Sequence, residues 1–230
     1  VRDRKNSTLP GKKERSYSSF FVYIKEDMIM VKNMVFDMGN VILKYNPDYM
    51  IDQMLNDEQL KSIILDRVFN SEEWIKLDQG LISIENAKIS MKKDLPADQA
   101  QMIDYVMDHW FDYMYEIEGM NIVLRSLKEK GFDIYLLSNA SIAFYNYYQN
   151  FSSFKYFKGF YISAKHKLIK PDLKIYESFF NAFRLNPDEC LFIDDRQENV
   201  DGSIQAGMDA IVFDGDLQNL ILTLKQRNIL

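Results

Sequence analysis

The chain predicts an α/β fold: a doubly wound, Rossmann-like parallel sheet carrying an inserted all-helical cap. Three observations predict it. A greasy run from Val35 to Leu43 is broken by one carboxylate, Asp37, where it gives way to Gly39. From Asn121 onward, apolar runs of strand length alternate with stretches of helical period. Between them, over about 45–118, apolar residues recur every three or four positions and no strand-like run intervenes. Strands interleaved with helices imply a parallel sheet joined by right-handed crossovers, and open sheets of that kind bind ligands at the carboxyl ends of their strands.

Composition bounds the possibilities. A chain of 230 residues, 47% hydrophobic and 27% charged, is sized for one such domain with an insertion. Its net charge of -6 argues against a general nucleic-acid binder, which needs a basic face for phosphates. No apolar run of about 18 residues offers a membrane span. The single cysteine, Cys190, excludes an intramolecular disulfide and fits a reducing, cytoplasmic setting. His109 and His166 are too few for a multi-histidine zinc site. Small molecules are the expected partners.

In chain order, residues 1–29 read as an extension outside the fold: a basic, polar stretch and then a short aromatic patch. Met28 or Met30, just before the first strong strand, is the expected natural start. Val31 to Asp37 is the first strand. The core is expected over 30–44 and 119–230, with the cap over 45–118. Within the cap, Ser71-Glu72-Glu73-Trp74 and Ser83-Ile84-Glu85-Asn86 read as capped helix starts, and Pro96 as the first-turn proline of a helix reaching Tyr115. His109-Trp110 reads as a helix face inside the cap. Asn121 to Lys130 is an amphipathic helix closed by Gly131. Strands are expected at Phe132–Ser138, Gly159–Ser163, Glu189–Asp195 and Asp209–Asp214. Helices are expected from Ser138 through Tyr148, over Asp172–Leu185, up to Ala206 and at the carboxyl terminus. Cys190, inside a strand, reads as structural.

The polar residues at the strand ends form a set. Asp37 ends the first strand, Ser138-Asn139 the second, Lys170-Pro171 follows the third, and Asp194-Asp195 end the fourth, with Asn199 close behind. Three carboxylates against one lysine are electrostatically unfavourable without a cation, and hard oxygen ligands suit Mg²⁺. A neutralised site of this kind accepts a phosphate dianion, with Ser138 and Asn139 offering a hydroxyl and an amide. Asp37 can then attack phosphorus and form an aspartyl phosphate for water to hydrolyse.

The phrases FDMGNVIL, LLSNAS, KPDLKIYE and FIDDRQENV, in this order, resemble the four motifs of the haloacid dehalogenase superfamily, from Val31 to the end of the chain. The resemblance implies Asp37 as nucleophile and Ser138 and Lys170 as phosphate holders, with Met38, Gly39 and Asn139 in the phosphate-facing turns. It implies metal ligation by Asp37, the Gly39 carbonyl, Asp195 and, in support, Asp194, with Asn199 ordering the last loop. The insertion resembles the helical cap of the branch that includes glucose-1-phosphate phosphatases and the amino-terminal phosphatase domain of epoxide hydrolases. Trp74, Asp78 and Gly80 fall in a stretch resembling the substrate-facing loop of such caps. The activity implied is Mg²⁺-dependent hydrolysis of a small phosphorylated metabolite, such as a sugar phosphate.

One departure matters. Where most phosphatases of the superfamily carry a second Asp as general acid and base, two residues after the nucleophile, this chain has Gly39. A good leaving group, an ordered water or a cap residue such as Asp78 could stand in. The same departure keeps open a metal-independent dehalogenase, although the Asp194-Asp195 pair would then lack a purpose. It also keeps open a non-catalytic member that only binds a ligand. A phosphorylatable receiver module would present its acid pair first and carry no cap.

Overall fold

The computed structural model of the protein describes residues 30–230. The extension read at 1–29, with its possible start at Met28, lies outside the described residues. Strand β1 (Asn33–Phe36) is buried throughout and turns through residues 37–42 into β2 (Leu43–Lys44). Five helices follow with no strand among them: α1 (Pro47–Met54), α2 (Glu58–Ile64), α3 (Glu72–Asp78), α4 (Ile84–Met91) and α5 (Ala97–His109). Side-chain oxygens of Asn46, Asp57, Ser71 and Ser83 accept backbone N–H groups at the starts of α1 to α4. Each such cap is worth about 1 kcal/mol, and the two serines are those the sequence marks.

Helix α5 does not reach Tyr115. It ends at His109, with Pro96 at the N-cap position rather than inside the first turn, and tightens into a 3-10 turn over Trp110–Tyr113. Strand β3 (Tyr115–Glu116) then pairs antiparallel with β2, Leu43 opposite Glu116 and Lys44 opposite Tyr115. The two links to the helical insertion are therefore tied to each other in a short ribbon.

The remainder alternates as the sequence predicts. Helix α6 (Met120–Glu129) is closed by Gly131 in the left-handed region, and β4 (Asp133–Ser138) follows. Next come α7 (Phe144–Tyr147), β5 (Gly159–Ile162), α8 (Ser163–His166) and α9 (Leu173–Phe183). Strand β6 (Cys190–Asp194), α10 (Gln197–Gln205), β7 (Asp209–Val212) and α11 (Leu217–Gln226) complete the chain. Helix α7 is one turn long, not the helix through Tyr148 that was expected. Aromatic residues are weak helix formers, and here the rings of Phe144, Phe154 and Phe160 pack on one another with centroids 5.3–5.9 Å apart. That packing bends the chain into two 3-10 turns, Tyr148–Asn150 and Ser152–Tyr156.

The five long strands form one parallel sheet in the order β5-β4-β1-β6-β7. Alternation along each strand feeds two cores. Met34, Phe36, Leu136 and Ile193 join α6 and α11 on one face, while Val35, Leu137 and Phe192 join Ile175, Tyr176 and Phe179 of α9 on the other. Helices on both faces make the sheet doubly wound, and β1 lies at its centre. Cys190 is buried in β6, its thiol directed at the Asn186 carbonyl and pushed up to about 12 by burial. It behaves as a core residue, as its place in a strand predicts. Among the described residues, no helix is long and apolar enough to cross a membrane.

Register fixes what meets at the carboxyl edge. Phe36 pairs with Leu136 on one side and Ile193 on the other, so Asp37, Leu137 and Asp194 arrive level with one another.

Candidate active site

Lys170 binds that level together. Its ammonium donates to Asp37 Oδ1 at 2.8 Å, Asp194 Oδ2 at 2.6 Å and the Leu137 carbonyl at 2.9 Å. An ammonium has three hydrogens, so all of its donors are occupied by the protein. Lys170 is buried; burial alone would lower its pKa, but Asp194 and Asp37 more than offset this and hold the pKa above its usual value. The lysine is a fixed countercharge for two carboxylates, and a phosphate oxygen can reach it only by displacing one of these bonds.

Its position is set by Asn139. The Asn139 side chain accepts from the Lys170 N–H at 2.8 Å and donates to the Lys170 carbonyl at 3.0 Å. The amide expected to face a phosphate is thus engaged at both ends with backbone, leaving one amide hydrogen. Asp194 is fully buried and receives Lys170, the Arg196 N–H at 2.8 Å and the Asn199 amide at 3.0 and 3.1 Å. Asn199, in the first turn of α10, thus reaches back across the loop after β6 to the end of that strand.

Asp195 behaves differently. It borders the cavity, and Asn40 donates to it at 3.3 Å. Burial, then Asp194, raise its pKa; burial also raises that of Asp37 to about 6, with Lys170 pulling down and Asp194 pushing up. One carboxylate oxygen of each of Asp37, Asp194 and Asp195 lies within 4.8 Å of the others. Among the described residues nothing donates to the Gly39 carbonyl, whereas the Met38 carbonyl collects the N–H groups of Val41, Ile42 and Leu43. Three carboxylates, one saturated lysine and a free carbonyl are an oxygen donor set that fits a hard divalent cation such as Mg²⁺.

Gly39 itself is not required by space. A Cβ there would meet only the Tyr45 Cβ, at 3.8 Å, and the backbone is not left-handed. The left-handed residue of this turn is Asn40, with φ 53°, whose side chain bridges the Tyr45 N–H and Asp195. Asn40 follows directly on the FDMG phrase, and its role rests on a contact 155 residues away along the chain.

A cavity of about 380 Å³ opens above these groups. Asp37, Met38, Gly39, Ser138, Asn139, Lys170 and Asp195 supply its floor, and Leu43, Tyr45, Trp74, Ile75, Asp78, Trp110 and Met114 its roof. Trp110, which the sequence suggests only as cap interior, is the hub of the roof, with ring centroids 5.1 Å from Trp74 and 5.7 Å from Tyr147. Asp78 faces the cavity from the end of α3. Enclosure by protein, and to a lesser extent Asp37, holds its pKa well above the carboxylate range, against the pull of a bond from the Ser141 N–H.

Two further contacts seat the roof on α8. The buried Ser163 hydroxyl donates to the Asp78 carbonyl and accepts from the Ala140 N–H at 2.9 Å. Gly80, at φ 69°, lies so close to α8 that a Cβ would fall 2.0 Å from the Ala164 carbonyl oxygen.

Comparison with known proteins agrees with this architecture. A family model described as haloacid dehalogenase-like hydrolase matches residues 31–207. A sesquiterpene phosphatase of Aspergillus oryzae is 27% identical over 180 residues, covering 77% of this chain and 87% of that protein. A flavin mononucleotide hydrolase of Arabidopsis thaliana is 26% identical over 141 residues, covering 61% of this chain and 56% of that one. Among solved structures, a family enzyme from Bacteroides thetaiotaomicron in complex with magnesium and inorganic phosphate superposes with a TM-score of 0.65 at 21% identity, over 83% of this chain and 98% of that chain. An L-2-haloacid dehalogenase from Xanthobacter autotrophicus superposes with a TM-score of 0.61 at 15% identity, over 87% of this chain and 85% of that one. With four strand-end motifs meeting on one sheet edge under a helical roof, the chain belongs to the haloacid dehalogenase-like hydrolases.

Proposed function

We propose that this hydrolase is a Mg²⁺-dependent phosphatase of small phosphate monoesters, working through an aspartyl phosphate on Asp37. The observation that carries the reading is the acidic triad: oxygens of Asp37, Asp194 and Asp195 within 4.8 Å of one another, beside a lysine with no donor to spare. Mg²⁺ held by Asp37, Asp195 and the Gly39 carbonyl, with Asp194 behind, would neutralise the floor and let a phosphate dianion approach. A metal-independent dehalogenase would leave Asp195 on the cavity wall beside two other carboxylates without a use. The curated relatives, named as a sesquiterpene phosphatase, a flavin mononucleotide hydrolase and an enolase-phosphatase, support the phosphate-ester reading.

The protein's own groups then divide the work. Asp37 is the nucleophile, kept ionised and aimed by Lys170. Ser138 and the remaining Asn139 hydrogen hold phosphate oxygens. Asp78 replaces the missing acid of position 39: it lines the cavity from the roof, burial raises its pKa and so favours the protonated carboxyl, and that form can give its proton to the leaving oxygen. The cap closes over the intermediate and excludes bulk water, moving on the β2–β3 ribbon as one piece.

The test is a phosphate-release assay over a panel of phosphate monoesters, with and without Mg²⁺, run beside Asp37→Asn. Release that depends on the metal and disappears in the variant is expected. Metal-independent release, or full activity without Asp37, would overturn the reading.

A further inference from the structure

The floor of the cavity is polar and the roof is not. Tyr45, Trp74, Ile75, Trp110 and Met114 meet the leaving-group side of any ester whose phosphate sits at Asp37. The polar groups of the lining outside the floor and the amides are the Asp78 carboxyl, the hydroxyls of Tyr45, Ser141 and Tyr147, the last directed at the Met38 sulfur, and Arg196, whose guanidinium is paired with Glu198. The three side-chain amides of the lining are already engaged, Asn40 with Asp195 and the Tyr45 N–H, Asn139 with the Lys170 backbone, and Asn199 with Asp194. A sugar brings several hydroxyls, and each one buried without a partner weakens binding. A hydrocarbon or aromatic group instead gains from every apolar atom removed from water against these rings. We infer that the cavity selects the phosphate monoester of an apolar alcohol over a sugar phosphate. This rests on the phosphatase reading and sharpens its substrate class, replacing the sugar phosphate that the sequence suggests.

A series of linear alkyl monophosphates, from ethyl to decyl, tests the inference. Chemistry at phosphorus and the basicity of the leaving alkoxide are nearly constant along it, so kcat/KM reads the roof alone. With the full chain and Mg²⁺, kcat/KM is expected to rise by about fourfold per methylene until the cavity is filled. It should also exceed that for glucose 6-phosphate, another primary alkyl ester, by about a hundredfold or more. A flat or falling series, with glucose 6-phosphate turned over as well or better, would overturn the apolar preference and leave the phosphatase reading standing. No release from any ester, 4-nitrophenyl phosphate included, would overturn both.

Binding gives a second readout that needs neither turnover nor a variant. Both tryptophans of the chain, Trp74 and Trp110, line the cavity, so intrinsic fluorescence reports on it directly. Non-hydrolysable alkylphosphonates are expected to shift the emission, with Kd falling about fourfold per added methylene. A Kd independent of chain length would refute the inference. Trp74→Ala should flatten both series, lowering kcat/KM most for the longest chain.

Discussion

The floor and the roof of the cavity are built on opposite principles. The floor is a set of charged groups buried on strand ends and held by hydrogen bonds 2.6 to 3.1 Å long. The roof is a cluster of rings and aliphatic side chains drawn from the β2–α1 link, α3 and the turn after α5, packed edge to face with few polar atoms. The difference teaches where chemistry and selectivity are each stored. Charges that must not move are placed on the sheet; the surface proposed to choose a substrate, together with the proposed acid Asp78, is placed on a unit tied to the sheet by a two-residue ribbon and a few close contacts.

The sharpest way to break this division is at the nucleophile. Asp37→Asn should reduce phosphate release by at least about 10³-fold while leaving the circular dichroism spectrum intact. Lys170→Met comes next, and its effect should fall on folding as well as on turnover. It leaves Asp37 and Asp194 buried without their partner, which costs about 3–5 kcal/mol and is measurable by urea denaturation. A roof that only selects would show no acid chemistry, so Asp78→Asn is the informative third case. It should slow alkyl esters by about 10²-fold or more and slow 4-nitrophenyl phosphate, which needs little protonation, far less. The sign with pH follows from the raised pKa. The protonated form is the working one, so wild-type turnover of alkyl esters declines as pH rises through that raised value, and the variant lacks this decline. The smallest effect is expected at the seat of the cap. Gly80→Ala imposes a left-handed backbone on a residue with a side chain, about 1–2 kcal/mol, and pushes α3 away from α8. Faster proteolysis within the cap, with the core spared, would register it.

The floor was largely legible in the sequence because most of its members end strands. Asp37, Ser138, Asp194 and Asp195 stand where greasy runs stop, and a parallel sheet can only bring such positions together; Lys170 lies in the loop that follows the third such run, beyond the one-turn α8. What the sequence could not say is which of them are free to act. That all of Lys170's donors are occupied, or that Asn139 holds Lys170 by its backbone, depends on bonds between residues more than twenty positions apart. The roof was hardly legible. A tryptophan on a helical stripe carries the same signal whether it faces a core or a cavity, so Trp110 looked like ordinary interior. The β2–β3 ribbon escaped notice because two residues carry no strand periodicity, and the pairing joins positions some seventy residues apart. The short α7 shows the same limit, since ring packing at the sheet edge decided the path of the chain.

The lysine bridge has a consequence for timing. Because one ammonium joins a carboxylate of β6, the residue after β1 and a carbonyl of β4, the catalytic end of the sheet cannot fray one strand at a time. The Asp37 amide hydrogen, itself donated to the Ile193 carbonyl at 2.9 Å, should therefore exchange with deuterium only when the whole domain opens. Amides of the cap helices should exchange earlier. The nucleophile would then sit in the slowest-breathing part of the molecule, and the surface that greets the substrate in the fastest.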